Sequence, residues 1–533
     1  MKLLSYILLL SLSLFQCITV KGEDKWYSLG NYIEEEGTND LAGTAVAQSM
    51  DGTIIAISSP HYVPENLDAE ADDDDYEVVK MDGQRYGRIA VYTLDLATDE
   101  WTDFGDKIVG NRDESLGISM DMTEDGRTIV VGKLNDHGGN RDHRDAGGVS
   151  VYTYENGEWI PKGKPLFGDK SFDRFGASVD ISNGGVTIAV GIPGRDVGEK
   201  DGAGAVIVYE YDITTQEWMN LDGIIEGKAA YDHFGSSVSL SQTGRLAIGA
   251  PNANLMKGAA YMYKINGTND VWEQMGTYIS GDKFGDKFGA SVAMSYDGST
   301  VVVGSPIHTG FGNKKRSGSA AVYKFRGGDI NAWQQVGVTL IGRGAGDEFG
   351  TSVDISDDGN EIVVGSPFSN TLLDEKRKTE AGHITAYHYR GGDWEKRHLE
   401  IEGKKEFSHL GSSVAVTGDG YQVIGGAPTE GYVSVYGLSK TAPPTMSPTP
   451  APKIKSASRG FAFFMLLIFI LVWIIALGLL CFNLFMRYRE KQRNRAGFEQ
   501  PDTDPGLEMN VTNNDTHNNN DDDDDGSERQ GII

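Results

Sequence analysis

The chain has 533 residues, 69 of them glycine, with 10% aromatics, two cysteines and a formal charge of −29. An acidic balance of that size repels nucleic acid and anionic lipid headgroups, and it suits cationic partners, divalent ions or simply a well-solvated surface. Cys17 and Cys481 both lie in apolar stretches, so the long segment between them has no disulfide and needs a large core to hold it.

Residues 1–22 carry Lys2, run apolar from Leu3 to Phe15, and end Val20-Lys21-Gly22. This is the pattern of a secretory signal peptide, and it puts residues 23–438 on the extracellular or lumenal side.

The exported segment is a repeat. Seven tryptophans, Trp26, Trp101, Trp159, Trp218, Trp272, Trp333 and Trp394, follow one another at spacings of 75, 58, 59, 54, 61 and 61. Each opens a similar phrase: Trp26-Tyr-Ser-Leu29-Gly30 parallels Trp272-Glu-Gln-Met275-Gly276 and Trp333-Gln-Gln-Val336-Gly337. A glycine-bearing strand comes next, as Phe175-Gly-Ala-Ser-Val179, Phe234-Gly-Ser-Ser-Val238, Phe288-Gly-Ala-Ser-Val292 and Phe349-Gly-Thr-Ser-Val353, with weaker copies starting at Leu41, Leu116 and Leu410. Turns such as Asp51-Gly52, Asp297-Gly298 and Asp358-Gly359 lead into continuous apolar runs, Thr300-Val-Val-Val-Gly-Ser305 among them. Asp-Gly between apolar runs is a hairpin signal, and an unalternating run fits a strand covered on both faces. After a variable loop, a Gly-x-x-x-Val-Tyr strand such as Gly148–Tyr152 completes the unit.

Four strands per unit of about 60 residues predict an all-β fold, a β-propeller of four-stranded blades. The first tryptophan strand has no blade before it, and the last unit, ending at Tyr436, has no tryptophan strand after it. The N-terminal strand is therefore expected to complete the last blade, which gives seven blades over residues 23–438.

Residues 439–459 are rich in Pro, Ser and Thr and predict an extended stalk. Residues 461–486 contain no charge and predict one transmembrane helix; the basic cluster that follows, from Arg487 to Arg495, orients it as type I. Residues 487–533, with Asn and Asp runs, predict a disordered cytosolic tail. Its end places Glu528 four residues before Ile532 and Ile533, the spacing of an acidic dileucine sorting signal that a cytosolic sorting adaptor would read.

Three long loops are candidates for ligand binding. One holds Asp72, Asp73, Asp74 and Asp75, one Lys314, Lys315 and Arg316, and one Lys376 and Arg377; on a single face they would offer acidic and basic lobes to a charged partner. Asp136, His137, His143 and Asp145 are donor types that suit a transition metal, but Arg141 and Arg144 interrupt them and their spacing matches no firm signature. Asn266-Gly-Thr268 is an N-glycosylation sequon, read as an exposed turn between a third and a fourth strand.

The phrases around Phe234-Gly235 and Gly249-Ala250-Pro251 resemble the FG-GAP repeat family, and the resemblance extends over about residues 26–438. Integrin α-subunit heads carry seven such repeats. The resemblance implies a propeller whose ligands meet the face built from loops joining strands two to three and four to one. It also implies Ca²⁺ in an Asp-rich loop between the first two strands. Here that loop is a tight turn such as Ser295-Tyr-Asp297-Gly298, short of the six to eight oxygens Ca²⁺ takes, so no cofactor is expected. No leg domains follow, and residues 487–495 lack the Gly-Phe-Phe-Lys-Arg pattern of integrin α-chains.

Three function classes remain. The first is a cell-surface protein that binds an extracellular protein, glycan or matrix ligand, as in adhesion or reception, at the plasma membrane or an endomembrane. The second is an endosomal or vacuolar sorting receptor. The third is a propeller glycosidase. The third is the weakest, because the turns lack the Ser-x-Asp-x-Gly-x-Thr-Trp box of sialidases and no nucleophile elbow is present; the chain reads as a non-enzyme.

Overall fold

The computed structural model describes residues 25–439 except 31–32, 35–38, 65–84, 136–143, 267–270, 329–331 and 374–375. The leader expected over 1–22, the span over 461–486 and the tail over 487–533 lie outside these residues, as does the stalk beyond its first residue. Among the described residues no helix is long and apolar enough to cross a membrane.

The four-strand phrase repeats seven times as seven antiparallel sheets, each a blade of a propeller. Blade 4 shows the plan: Ser237–Leu240 lies innermost, then Arg245–Ala250, then Ala259–Asn266, with Val271–Gln274 outermost. The second strand is the most enclosed. All six of its residues are buried in five of the blades, because its sheet is covered on both faces by the neighbouring blades. That is why these runs read as unbroken apolar sequence. The buried apolar side chains form seven clusters, each spanning the junction between two adjacent blades.

The ring closes as the strand order requires. In blade 7 the chain's first strand, Lys25–Ser28, pairs with its last, Tyr432–Ser439, in the register Trp26↔Leu438 and Tyr27↔Gly437. The last blade thereby gains its fourth strand like the others.

Two glycines per repeat hold the blades together. The glycine of the second strand abuts the glycine of the next blade's Phe-Gly pair: a Cβ on Gly304 would stand 2.1 Å from the Gly350 carbonyl oxygen, and one on Gly249 2.0 Å from that of Gly289. The repeat serine fastens the same point, since Ser291 Oγ donates to the Gly350 carbonyl at 2.9 Å and Ser237 Oγ to that of Gly289 at 3.0 Å. Blade 1 exchanges the two residue types. It has Ala45 where the others have serine and Ser58 where they have glycine, and here Ser58 Oγ accepts the Ala45 N–H at 2.8 Å. The copy read from Leu41 is in fact one residue later, with Ala42-Gly43 in the Phe-Gly position and Gly43 at φ 90°.

The tryptophans make an outer belt. The Trp159 indole N–H donates to the Phe104 carbonyl of the blade before it at 2.8 Å, and Trp218, Trp333 and Trp394 repeat the contact with Lys162, Met275 and Val336. Each acceptor precedes a glycine against which the indole packs, Gly105, Gly163 and Gly337 for example. Blades 3 and 6 lack that glycine: Trp218 and Trp394 are followed by Leu221-Asp222 and Arg397-His398, inside ten-residue strands whose pairing shifts register at these residues. The next tryptophans, Trp272 and Trp26, are the two whose buried indole N–H finds no partner among the described residues.

Candidate functional site: the loop face and the central channel

Because the blades are antiparallel, every loop joining strands two and three shares one face with every connection from strand four to the next blade's first strand. We call this the loop face. Its connections repeat a phrase that the tryptophan and Phe-Gly signals overshadow: residues 168–175, 227–234, 281–288, 342–349 and 403–410 each begin with glycine and end two residues past Asp173, Asp232, Asp286, Asp347 or Ser408. These five polar residues are buried. Three of the carboxylates close their own loop by accepting a backbone N–H, from Ala229 at 3.1 Å, Lys283 at 3.2 Å and Gly344 at 2.6 Å. Burial raises the Asp173 and Asp232 carboxyls above their usual value, and Arg195 partly offsets this at Asp173.

The residue before each buried polar group is left-handed: Phe172 at φ 66°, Tyr231 at 61°, Gly285 at 84°, Gly346 at 85° and Phe407 at 58°. Its N–H donates to the strand two-to-three loop of the preceding blade, from Phe172 to Arg144 O at 2.8 Å, Tyr231 to Asp201 O at 2.8 Å and Phe407 to Thr379 O at 2.9 Å. Glycine is the unstrained choice there, and two of the five blades use it. The other three place an aromatic ring in a conformation that disfavours it, and the rings are exposed: Phe172 by 56%, Tyr231 by 60% and Phe407 by 49%. Neither burial nor backbone preference accounts for these rings.

The inner strands surround a channel of about 320 Å³. At one level the seven blades contribute Ala47, Asp121, Asp180, Ser239, Ala293, Asp354 and Ala415. An innermost strand has an unpaired edge whose N–H groups need acceptors. Asp121 takes the Ile181 N–H at 3.0 Å, Asp180 that of Leu240 at 2.8 Å, Ser239 that of Met294 at 3.1 Å and Asp354 that of Val416 at 2.7 Å. Each acceptor thus ties its blade to the next. Enclosure disfavours charge on all three carboxyls. Asp180, beside Asp121 and hydrogen-bonded to it, is pushed well above its usual range, and Asp354 is raised to about 7.

On the opposite face, which holds the turns, the Ser-x-Asp-Gly aspartates are already engaged. Asp51 accepts from Ser49 Oγ and Thr53 Oγ1 at 2.8 Å and from the Thr53 N–H at 3.0 Å. Burial would raise its carboxyl, but these bonds together bring it below the usual value. Asp297 and Asp358 sit in the same kind of turn.

Of the residues singled out in the sequence, Lys314, Lys315 and Arg316 lie exposed on the loop face of blade 5. Lys314 Nζ reaches the Arg343 carbonyl at 2.7 Å, and Arg316 pairs with Glu348. Lys376 and Arg377 belong to a two-stranded hairpin, Thr371–Leu373 with Lys376–Lys378, on the same face of blade 6. The two basic loops are therefore neighbours. Asp72 to Asp75 lie outside the described residues, as do Asp136, His137 and His143; Asp145 stands at the base of its loop, its carbonyl accepting the Arg174 N–H at 3.2 Å. Among the described residues no group of three or more His, Cys, Asp or Glu side chains is placed to hold a metal. Asn266 ends the third strand of blade 4 rather than lying in the turn, and its side-chain amide donates to Glu273 at 2.7 Å. Glu528, Ile532 and Ile533 are outside the described residues.

Residues 226–263 match the FG-GAP repeat family. The matched stretch runs from the end of blade 3 through the Phe234-Gly235 pair to the third strand of blade 4. Together with this match, the seven blades of one plan fit an FG-GAP β-propeller of the integrin α-like kind. No curated protein matches the chain significantly.

Proposed function

We propose that this chain is a non-catalytic, type I cell-surface protein that recognises an extracellular protein, glycan or matrix ligand through the loop face of its propeller, in an adhesion- or receptor-like role. An FG-GAP propeller is consistent with ligand binding of this kind. The observation that carries the reading is the trio Phe172, Tyr231 and Phe407. Each is exposed, each is left-handed, and each is fixed by a backbone hydrogen bond to the neighbouring loop. Exposed aromatics on a rigid frame are the usual anchors of protein recognition, because they bring contact area with little entropy left to lose.

The test uses the full chain displayed on cells and challenged with other cells and with glycan and matrix arrays. The wild type should bind saturably, and F172G, Y231G and F407G should each weaken binding while the protein stays folded. Retention of full binding by all three glycine variants would remove the loop face from the reading.

A further inference from the structure

We propose that Leu255, Met256, Phe284 and Phe311, on the loop face of blades 4 and 5, form with the cations around them a docking site for an acidic protein segment that carries carboxylates beside apolar side chains. The proposal rests on the recognition reading above and names the partner chemistry for one sector of that face.

Strain is the first reason. Asn254, Leu255 and Met256 are three consecutive left-handed residues, at φ 53°, 60° and 61°. For residues bearing a Cβ this conformation costs on the order of 1–2 kcal/mol each. The turn is pinned from below by buried Ala253, by Met256 N–H to Asn252 O at 2.9 Å and by Gly258 N–H to Ala253 O at 2.9 Å. What it displays is Leu255, 82% exposed, and Met256, 45% exposed. Burial rewards Leu255 little and Met256 only in part.

Continuity is the second. The Met256 carbonyl accepts the Gly285 N–H at 3.0 Å, which sets Phe284 (75% exposed) beside the turn. Lys283 Nζ reaches the Thr309 carbonyl at 3.3 Å, two residues before Phe311 (85% exposed). Four large apolar side chains thus follow one another across two blades, where scattered single exposures would need no explanation.

Charge is the third. The segments that carry the strip also carry Lys257, Lys283, Lys287, Lys314 and Lys315, besides Arg316, whose charge is met by Glu348. Their acids are mostly engaged: Asp286 is bonded to His308 at 2.9 Å and Glu348 pairs with Arg316, which leaves Asp282 exposed. This is a local reversal on a chain of −29. A short acidic segment would feel the local cations, whereas an extended anionic bilayer would also meet the acidic remainder and be repelled.

The test is fluorescence anisotropy with the full chain in zwitterionic nanodiscs. The probe is a synthetic peptide of alternating Leu and Glu, with Gln-for-Glu and Ser-for-Leu versions as controls and phosphatidylserine vesicles as a separate arm. The Leu/Glu peptide should bind saturably and both controls at least tenfold more weakly. F284S and the K314E/K315E pair should each weaken binding at least tenfold. L255G should raise the melting temperature, by releasing left-handed strain, and still weaken binding, which a misfolded variant would not do. Equal binding of the Gln peptide, no binding of the Leu/Glu peptide, or indifference to F284S and L255G would overturn the proposal, as would capture of the vesicles alone through these residues. If cells bind through Phe172 and Tyr231 while the strip variants behave as wild type, the docking site falls and the recognition reading stands.

Discussion

Ser413 Oγ donates to the carbonyl of Gly43 at 2.8 Å, a contact between residues 370 positions apart in the chain. The same serine-to-glycine clip recurs at five other blade junctions, but only this one joins the two ends of the ring. Replacing Ser413 by alanine should cost about 1 kcal/mol in chemical denaturation, much like Ser291→Ala at an internal junction. The two should differ in hydrogen exchange. S413A should speed exchange in the Trp26–Leu438 ladder, and S291A should leave that ladder unchanged.

The tryptophan belt supplies a paired comparison. Trp218 loses a hydrogen bond to Lys162 when changed to phenylalanine, whereas Trp272 has none to lose. Trp218→Phe is expected to cost about 1 kcal/mol more than Trp272→Phe, because only the first leaves a carbonyl without its donor and only the second removes an unsatisfied buried N–H. Equal losses in urea titrations would show that the Trp218 hydrogen bond adds nothing to stability.

The channel gives stability a pH dependence. Burial, countered in part by the Val416 and Ile355 N–H groups and reinforced by Asp121 and Asp357, lifts Asp354 from 3.8 to about 7. Between those values the folded chain holds a proton that the unfolded chain has lost. This group's contribution is thus complete below about 4 and is lost as pH rises to 7, at up to about 1.4 kcal/mol per pH unit. Replacing Asp354 by asparagine keeps an acceptor for the Val416 N–H and removes the titrating group. Denaturation midpoints of D354N should decline less than wild type from pH 4.5 to 7, and the two should run parallel above pH 7.5.

The left-handed aromatics reverse the usual expectation for a glycine substitution. Tyr231→Gly should raise stability by about 1 kcal/mol, since the backbone conformation at φ 61° is one that glycine adopts freely. Loss of the Tyr231 hydroxyl contact with Asp201, 3.1 Å at an exposed site, should take back little of that. A calorimetric melting temperature below wild type would show that the ring is held for packing.

Much of this architecture is legible in the chain because a propeller repeats its errors as well as its rules. The tryptophan spacings and the unpaired first and last strands determine both blade number and closure. Blade 1 hides its register, since Ala45 and Ser58 replace the serine and glycine that mark its neighbours and Leu41 imitates the missing phenylalanine. The channel carboxylates are invisible one at a time: Asp121, Asp180 and Asp354 become a set only when each is recognised as the residue after the inner-strand Met120, Val179 or Val353. The aromatic trio has a signal in the connections' repeated phrase, which opens on glycine and leads to Asp173, Asp232 or Ser408. Phe311 and the Leu255–Met256 turn carried none, because local strain and exposure are properties of the folded backbone.

The seam has a mechanical meaning. Tyr432–Ser439 runs toward the turn face between two partners, Gln422–Ala427 on one side and Lys25–Ser28 on the other. A load applied along this strand at Ser439 pulls parallel to both ladders, so their hydrogen bonds are sheared together and cannot be unzipped one by one. The chain's first strand thereby acts as a brace for its last, and force reaching the propeller from its C-terminal end would be shared with residues at the N-terminus before any blade opens.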